Sequence, residues 1–296
     1  MKTATVQLLF QFKALADPIR LRLVALCRQA ECHVSELVRV TSQSQPRISQ
    51  HLKQLCEAGL LERFRDGHFV YYRVPARSAD ATVRRRLLAL LPKDEPQLER
   101  DLEKLRGLRN TAVAAGRTSA EDVAERRLYR ALVELTVARP LGDVIDIGCG
   151  QGRLLKLLAS RANRAVGVDI DADARVFARA ELLLAGADNC SLRKGNMYEL
   201  PFSDREFDTV ILDDVLGDAE RPTDALFEAR RLLHPGGRLL ILVATDGDDT
   251  QLMKSRLADW CGVTNLRLAP PRAIPGLGSR WLLAVATIAD HETVAA

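Results

Sequence analysis

Apolar positions along this chain follow two rhythms. Over residues 1–91 they recur mostly at helical spacing. From Val6 to Leu15 apolar residues (Val6, Leu9, Phe10 and Leu15) crowd one predicted helix. Asp17-Pro18 then opens a second helix, carrying Ile19, Leu21, Leu23, Val24 and Leu26. Asp17 can cap it, and proline suits the first helical position. A short helix is predicted around Val34–Arg39, and Pro46 opens another that runs to about Glu57 and stops before Gly59. Leu60–Phe64 and Phe69–Val74 are rich in aromatic and β-branched residues and flank Asp66-Gly67, a strong two-residue hairpin turn. Residues 79–91 read as a helix that Pro92 stops.

From residue 121 the rhythm changes to alternating strand and helix. A helix over about 120–138 precedes a strand at Asp143–Ile147, and a helix at 152–160 follows. Then come strand Ala165–Asp169, helix 172–186, strands Ser191–Lys194 and Thr209–Leu212, and helix 223–233. A Pro235-Gly236-Gly237 turn leads to strand Arg238–Val243, with late strands at Asn265–Leu268 and Trp281–Ile288. Such alternation predicts a parallel sheet covered by helices on both faces, a doubly wound, Rossmann-like α/β domain. Between the two regimes, residues 92–120 set Pro92, Pro96, Gly107 and Gly116 around one helical stretch, PQLERDLEKLRGLRN. The expected organisation is an α+β winged helix-turn-helix domain over 1–91, a partly helical linker over 92–120 and the α/β domain over 121–296.

Composition fits two globular domains: 296 residues, 47% apolar and 28% charged. No run of about eighteen uncharged apolar residues occurs, so no membrane span is expected. The first residues, MKTATVQLLFQFKALAD, lack a small-residue cleavage site and read as a helix, which makes the cytoplasm the expected compartment. Six cysteines without a C-x-x-C pair argue against both a disulfide framework and a structural zinc site, and no metal is expected. Charge is divided unevenly. Residues 1–91 hold 15 Lys and Arg against 7 Asp and Glu, a net +8, and the remainder holds 28 against 32, a net −4. Only the first part is suited to a polyanion.

The helix after Pro46 has two faces. Ile48, Leu52 and Leu55 turn to the core, and Arg47, Gln50, Lys53 and Gln54 fall on the other side, with Ser44, Gln45 and Ser49 near its start. Glutamine and serine can bond base edges, and arginine can bond guanine or phosphate. Preceded by a short helix and a tight turn, this is a helix-turn-helix whose second helix reads the major groove of double-stranded DNA. The hairpin brings Arg63, Arg65, His68 and Arg73, suited to a phosphate backbone.

In the second half, VIDIGCGQG ends a strand at Ile147 and places Gly148, Cys149, Gly150 and Gly152 in the following turn. Glycine there lets the backbone turn sharply and approach a ligand. Asp146 precedes the turn, and Asp169 ends the next strand, where a carboxylate can accept both ribose hydroxyls. A dinucleotide site needs its third glycine one residue later, where Arg153 stands. GNMYELPF after the third strand and FDTVILDD at the fourth complete the pattern.

Two resemblances follow from these residues. FKALADPIRLRLVALC, VSEL and SQPRISQHLKQLCEAGLLERFRDGHFVYYRV resemble the ArsR/SmtB family of winged-helix repressors across about residues 10–91. That resemblance implies a homodimer on a palindromic operator, paired through helices at about 4–15 and 79–91. It points to Gln45, Arg47, Ser49, Gln50 and His51 as DNA contacts. Metal-sensing members carry a Cys-x-Cys where this chain has His33 and Ser35, with Cys32 offset by one. The second half, over about 121–290, resembles class I S-adenosylmethionine-dependent methyltransferases, its FDTVILDDVLG and PTDALFEARRLLHPGGRLLIL closest to the small-molecule branch. Carried over, Asp146, Gly148, Gly150, Gly152, Asp169, Ile170, Asn196 and Met197 hold the cofactor, and Asp213 and Asp214 lie beside its reactive end. Many members have Asp where Asn196 stands.

No Asn/Asp-Pro-Pro-Tyr segment is present, which argues against methylation of DNA amino groups, and no catalytic acid or base is assigned. The two halves together resemble regulators of the methionine cycle that respond to S-adenosylhomocysteine. The expected function is a transcriptional repressor whose methyltransferase-like domain senses S-adenosylhomocysteine or S-adenosylmethionine. Two alternatives stand beside it: an active small-molecule methyltransferase with an autoregulatory DNA-binding head, and a metal- or metalloid-responsive repressor.

Overall fold

The computed structural model describes residues 4–66, 69–75, 81–91, 95–116, 123–245, 249–275 and 280–289. Contacts divide the chain into two units, residues 1–117 with 179–188, and residues 118–178 with 189–296.

The first unit begins with α1 (Ala4–Leu15) and α2 (Pro18–Gln29). Asp17 starts α2 as its sequence implies: one carboxylate oxygen accepts from the backbone N–H groups of Ile19 and Arg20 at 2.9 and 3.0 Å. A two-residue strand, β1 (Cys32–His33), leads into α3 (Val34–Thr41) and then α4 (Gln45–Glu57). The apolar stripe of α4 behaves as its spacing requires, with Ile48, Leu52 and Leu55 fully buried against Leu23, Val24, Leu37 and Val40. Each such leucine or isoleucine contributes about 1.5–3 kcal/mol by leaving water. The hairpin strands are β2 (Glu62–Asp66) and β3 (Phe69–Arg73), paired antiparallel from Glu62↔Arg73 to Asp66↔Phe69. Strand β1 adds to the free edge of β3, giving the order β1-β3-β2. The pattern of apolar residues could not reveal β1, since two residues carry no period.

Helix α5 (Ala81–Ala89) is followed by α6 (Pro96–Gly116), which is longer than the helical stretch the sequence suggests. Leu105 of α6 is fully buried in the same core. Arg22 of α2 donates twice to the carboxylate of Asp101, at 2.6 and 2.8 Å. Arg109 donates to Glu36 of α3 at 2.7 Å and to the carbonyl of Glu31 at 2.6 Å. Much of the segment expected to be a linker is therefore a structural helix of the first unit.

The second unit opens with α7 (Val123–Ala138) and β4 (Asp143–Ile147). It continues with α8 (Arg153–Leu158), β5 (Arg164–Asp169), α9 (Ala172–Leu184), whose residues from Arg179 onward are counted with the first unit, β6 (Cys190–Lys194), β7 (Phe207–Asp213), α10 (Pro222–Leu232) and β8 (Leu233–Thr245). The tail of the fold is α11 (Thr250–Val263), β9 (Leu266–Leu268), β10 (Arg272–Pro275) and β11 (Arg280–Ile288). The strand order is β10-β11-β8-β7-β4-β5-β6, with β9 also paired to β11. Strands β4 to β8 run parallel, as the alternation predicts.

The last three strands do not, so the sheet is mixed. Strand β11 lies antiparallel to β8, and β10 and β9 both lie antiparallel to β11. Only four residues, 276–279, join β10 to β11. A parallel crossover needs about a dozen or more, so this pair must be antiparallel.

Alternate side chains of each strand feed opposite cores, as the pleat requires. Ile145, Val166, Val210, Leu239 and Ile241 join Leu226, Leu232 and Leu257 on one face. Val144, Ile211, Leu240 and Leu242 join Leu128, Leu132, Leu154 and Leu158 on the other.

Candidate functional sites

The first candidate surface is the outward side of α4. With the stripe of Ile48, Leu52 and Leu55 turned inward, Ser44, Gln45, Arg47, Ser49, Gln50 and Lys53 are all exposed. Arg65 of β2 is exposed as well, and His68 lies outside the described residues. His51 departs from this set. It is half-buried, and both ring nitrogens are buried without a hydrogen-bond partner among the described residues. Burial holds its pKa below the usual histidine range; Asp17 pulls it up, and Arg20 and Arg47 push it down. Gln54 is occupied differently again, its amide oxygen accepting from Arg20 at 2.7 Å. The exposed set offers hydrogen-bonding groups and two cations on one helix face, the composition that suits a groove.

The metal-sensor positions of the first unit are committed to local contacts. His33 Nδ1 lies 2.8 Å from the Ser35 hydroxyl, and the His33 ring stacks on Phe69 at 4.7 Å. Cys32 and Cys27 are buried in the core cluster.

The second candidate site is the turn after β4. The strand ends at Ile147 because the next residue bends sharply: Gly148 has φ +82°. A Cβ there would stand 2.1 Å from Val215 Cγ1, so no side chain fits. The N–H groups of Gly148 and Cys149 donate to the carbonyl of Val168 at 2.8 and 3.1 Å, which ties the turn to β5. Gly150, at φ +48°, faces open space within 4 Å. The turn is thus packed tightly on one side and bare on the other, which is the shape a close-lying ligand needs.

The carboxylates converge on this turn. Asp169 Oδ2 accepts from the N–H of Gly150 at 2.7 Å, and Oδ1 accepts from Asp171 at 2.8 Å. Beside it Ile170 is 67% exposed, an apolar shelf at the strand end. Asp146 is fully buried, and neither carboxylate oxygen has a hydrogen-bond partner among the described residues. Burial, then the charges of Asp213 and Asp169, push its carboxyl well above the usual range. An unpartnered buried carboxylate is costly, and it points to a partner the protein itself does not supply. The Cys149 thiol is buried and likewise pushed well up, first by burial and then by Asp146. It is held as a neutral thiol.

Asn196 is exposed, its side-chain oxygen accepting from the N–H of Tyr198 at 3.2 Å, and Met197 packs half-buried on the core. A cavity of about 280 Å³ opens beside the glycine turn. Gly148, Cys149, Gly150, Gln151 and Asp213 line it, together with Leu128, Tyr129, Arg153, Leu154, Asp214 and Trp281. Tyr129 and Trp281 belong to no motif, and their helix and strand gave only an apolar period. Asp169, Ile170, Asn196 and Met197 do not line this cavity; they stand at the ends of β5 and β6, farther along the sheet.

Comparison with known proteins agrees with this division. Residues 17–63 match the family described as bacterial regulatory protein, arsR family, and residues 145–241 match the family described as methyltransferase domain. The arsenic resistance transcriptional regulator ArsR1 of Pseudomonas putida is 50% identical over 64 residues, covering 21% of this chain and 50% of that protein. The ubiquinone/menaquinone biosynthesis C-methyltransferase UbiE of Ectopseudomonas mendocina is 34% identical over 139 residues, covering 44% of this chain and 54% of that protein. The chain spans about a third to about half the length of the first curated relatives it matches. Among solved structures, the [4+2]-cyclase SpnF aligns with a TM-score of 0.51 at 15% identity, over 62% of this chain and 93% of that one. The chain therefore joins an ArsR-type DNA-binding domain to a domain of the class I methyltransferase fold. SpnF is named for a cyclisation, so the fold by itself does not specify methyl transfer. No helix among the described residues is long and apolar enough to cross a membrane.

Proposed function

We propose that this protein is a cytoplasmic transcriptional repressor whose second domain binds S-adenosylhomocysteine or S-adenosylmethionine and thereby alters its grip on operator DNA. The observation that carries the reading is Asp146, a fully buried carboxylate with no partner among the described residues, set beside a glycine turn that is bare at Gly150. Both adenosyl ligands bring an ammonium group to such a site. Asp169 and Ile170 offer the ribose an acceptor and the adenine an apolar shelf, with Asn196 and Met197 bordering the same base. The exposed face of α4 supports the DNA half, with Gln45, Arg47, Ser49 and Gln50 as base or phosphate contacts and Lys53 and Arg65 as phosphate contacts.

The head works as a homodimer in this reading. Helix α1 exposes Val6, Leu9 and Phe12, and Val83 of α5 and Leu90 just beyond it are exposed too. Apolar side chains gathered on these two helices favour a protein partner.

Ligand and DNA are then linked: each changes the affinity of the other by one common factor, typically about 5- to 150-fold. The test is to titrate S-adenosylmethionine and S-adenosylhomocysteine into the protein bound to its own promoter fragment, and to repeat with Asp169→Ala. The expected result is a shift in DNA affinity with one ligand and none in the variant. Identical promoter occupancy with and without both ligands would overturn it.

A second reading is favoured by the cavity beside the glycine turn, which offers space for a methyl acceptor. In that reading the protein is an active small-molecule methyltransferase whose head represses its own gene. Transfer of a methyl group to a metabolite, with no effect of ligand on DNA affinity, would select it.

A further inference from the structure

We infer that Arg179 is the positioning residue through which an adenosyl ligand acts on the hairpin of the DNA-binding domain. This deepens the first reading above and rests on Asp169 holding the ligand's ribose. Helix α9 is one unbroken helix, Ala172–Leu184, yet its residues divide: those up to Ala178 are counted with the second unit and those from Arg179 onward with the first. From Ala172 to Arg179 is about two turns, roughly 10 Å of helix.

The start of α9 is fastened to the acid that ends β5. Asp169 Oδ1 accepts from the N–H of Asp171 at 2.8 Å, and the Asp169 carbonyl accepts from the buried Arg175 at 2.8 Å. Asp169 Oδ2 is taken by Gly150. Ribose hydroxyls that donate to this carboxylate must share oxygens already holding the glycine turn and the entry to the helix. A bound ligand therefore bears on where α9 begins.

Arg179 is fastened as firmly, and within the first unit. Its side chain is buried and donates to Asp66 Oδ2 at 2.6 Å and to Glu31 Oε2 at 3.0 Å. Its guanidinium lies 4.1 Å from the centre of the Tyr71 ring. Its carbonyl accepts from Arg109 at 3.0 Å. Asp66 ends β2 and Tyr71 lies in β3, so one side chain holds both strands of the hairpin that presents Arg65. Glu31 extends the hold, its Oε1 accepting from Arg73 of β3 at 3.0 Å.

Two turns of helix form a stiff element, and a buried ion pair yields poorly to displacement, because separating it strands desolvated charges. The pair of Asp66 and Arg179 is the two-state element of this inference. Closed, it fixes the hairpin; a shift of α9 opens it and releases the strand that carries Arg65. A merely structural arginine would support the hairpin equally with and without ligand.

The test measures the affinity of full-length protein for its own promoter fragment, alone and saturated with S-adenosylhomocysteine or, separately, S-adenosylmethionine. The ratio in the unaltered chain should be about 5- to 150-fold for one of them, and in Arg179→Gln and Asp66→Asn it should fall to within about twofold of one. Calorimetry without DNA should give the same ligand affinity in all three proteins. Arg179→Lys keeps the charge but not the fork that spans two carboxylates, and should keep part of the ratio. Hydrogen exchange in β2 and β3 reads the same link without DNA: ligand should change protection in the unaltered chain and not in Asp66→Asn. Asp66→Asn retains an acceptor oxygen, so it decides the matter if Arg179→Gln does not fold. Variants that bind DNA more weakly but keep the full ratio would overturn the inference and leave the ligand-sensing reading standing. Unaltered protein whose DNA affinity ignores both ligands would overturn that reading and this inference with it.

Discussion

The backbone N–H of Gly150 donates to the side chain of Asp169 at 2.7 Å, so the glycine turn after β4 and the acid that ends β5 are one hydrogen-bonded unit. Removing the acid therefore does more than delete a ribose acceptor. Asp169→Ala should lower adenosyl-ligand affinity at least about tenfold and cost about 1–3 kcal/mol of stability, because the N–H loses a charged acceptor. Calorimetry and urea unfolding measure the two effects separately. Asp169→Asn keeps an acceptor for Gly150 and should recover most of the stability with little of the affinity.

The glycines of the turn separate folding from binding. At Gly148 an added Cβ would meet Val215 Cγ1 at 2.1 Å and the carbonyl of Asp213 at 3.0 Å. Gly148→Ala should destabilise the second domain by about 2–4 kcal/mol, the cost of overpacking with a left-handed alanine added. Gly150 has nothing within 4 Å. Gly150→Ala should cost only the backbone strain, about 1–2 kcal/mol, yet still weaken adenosyl-ligand binding. Equal losses of stability in the two variants would contradict this geometry.

Asp146 sets a pH dependence. Its folded-state pKa lies above the unfolded value, so its contribution is fully present below the unfolded pKa and is lost as pH rises through the folded one. The second domain should unfold at lower urea concentration as pH rises from the ordinary carboxylate range, and Asp146→Asn should flatten that slope. Ligand affinity should run the other way, since a bound ammonium favours the ionised carboxylate. An unchanged slope in the variant would assign the effect elsewhere.

In the head, Arg109 and Glu36 form a buried pair at 2.7 Å. Burial alone would push the Glu36 carboxyl up; the charge and hydrogen bonds of Arg109 overcome it and hold the carboxyl below its usual range. Arg109→Ala should cost about 3–5 kcal/mol by stranding that carboxylate. In the unaltered chain the contribution is present above the unfolded glutamate pKa and fades as pH falls through the folded one. Denaturation midpoints at neutral and acid pH should therefore differ less in the variant.

On DNA, Gln50→Ala should cost about 1–3 kcal/mol on the preferred operator and little on unrelated duplex. Lys53→Ala should weaken both alike and reduce the slope of log affinity against log salt by about one. His51, with its ring nitrogens buried, gives a control: His51→Gln should act first on stability.

Much of this was legible because long, regular periods leave few options. The stripe of Ile48, Leu52 and Leu55 fixed which side of α4 is outward, and the alternation after residue 121 gave the parallel strands and the turn after Ile147. What stayed hidden lacked such a period. Helix α11 went unseen because its apolar residues are dispersed around the helix, and β10 because four residues carry almost no signal. The charges of Asp17 and Arg20 that act on His51 come from another part of the chain, which no local pattern reports. Tyr129 and Trp281 meet at the cavity only after some 150 residues of chain have folded between them.

Helix α6 has a practical consequence for anyone dividing the gene. A fragment cut after Leu91 would discard Leu105 and both carboxylate–arginine clasps, uncovering core that the remaining helices cannot close. The smallest piece able to hold DNA should end beyond Gly116, and a chimera that exchanges the C-terminal body must keep that helix with the head.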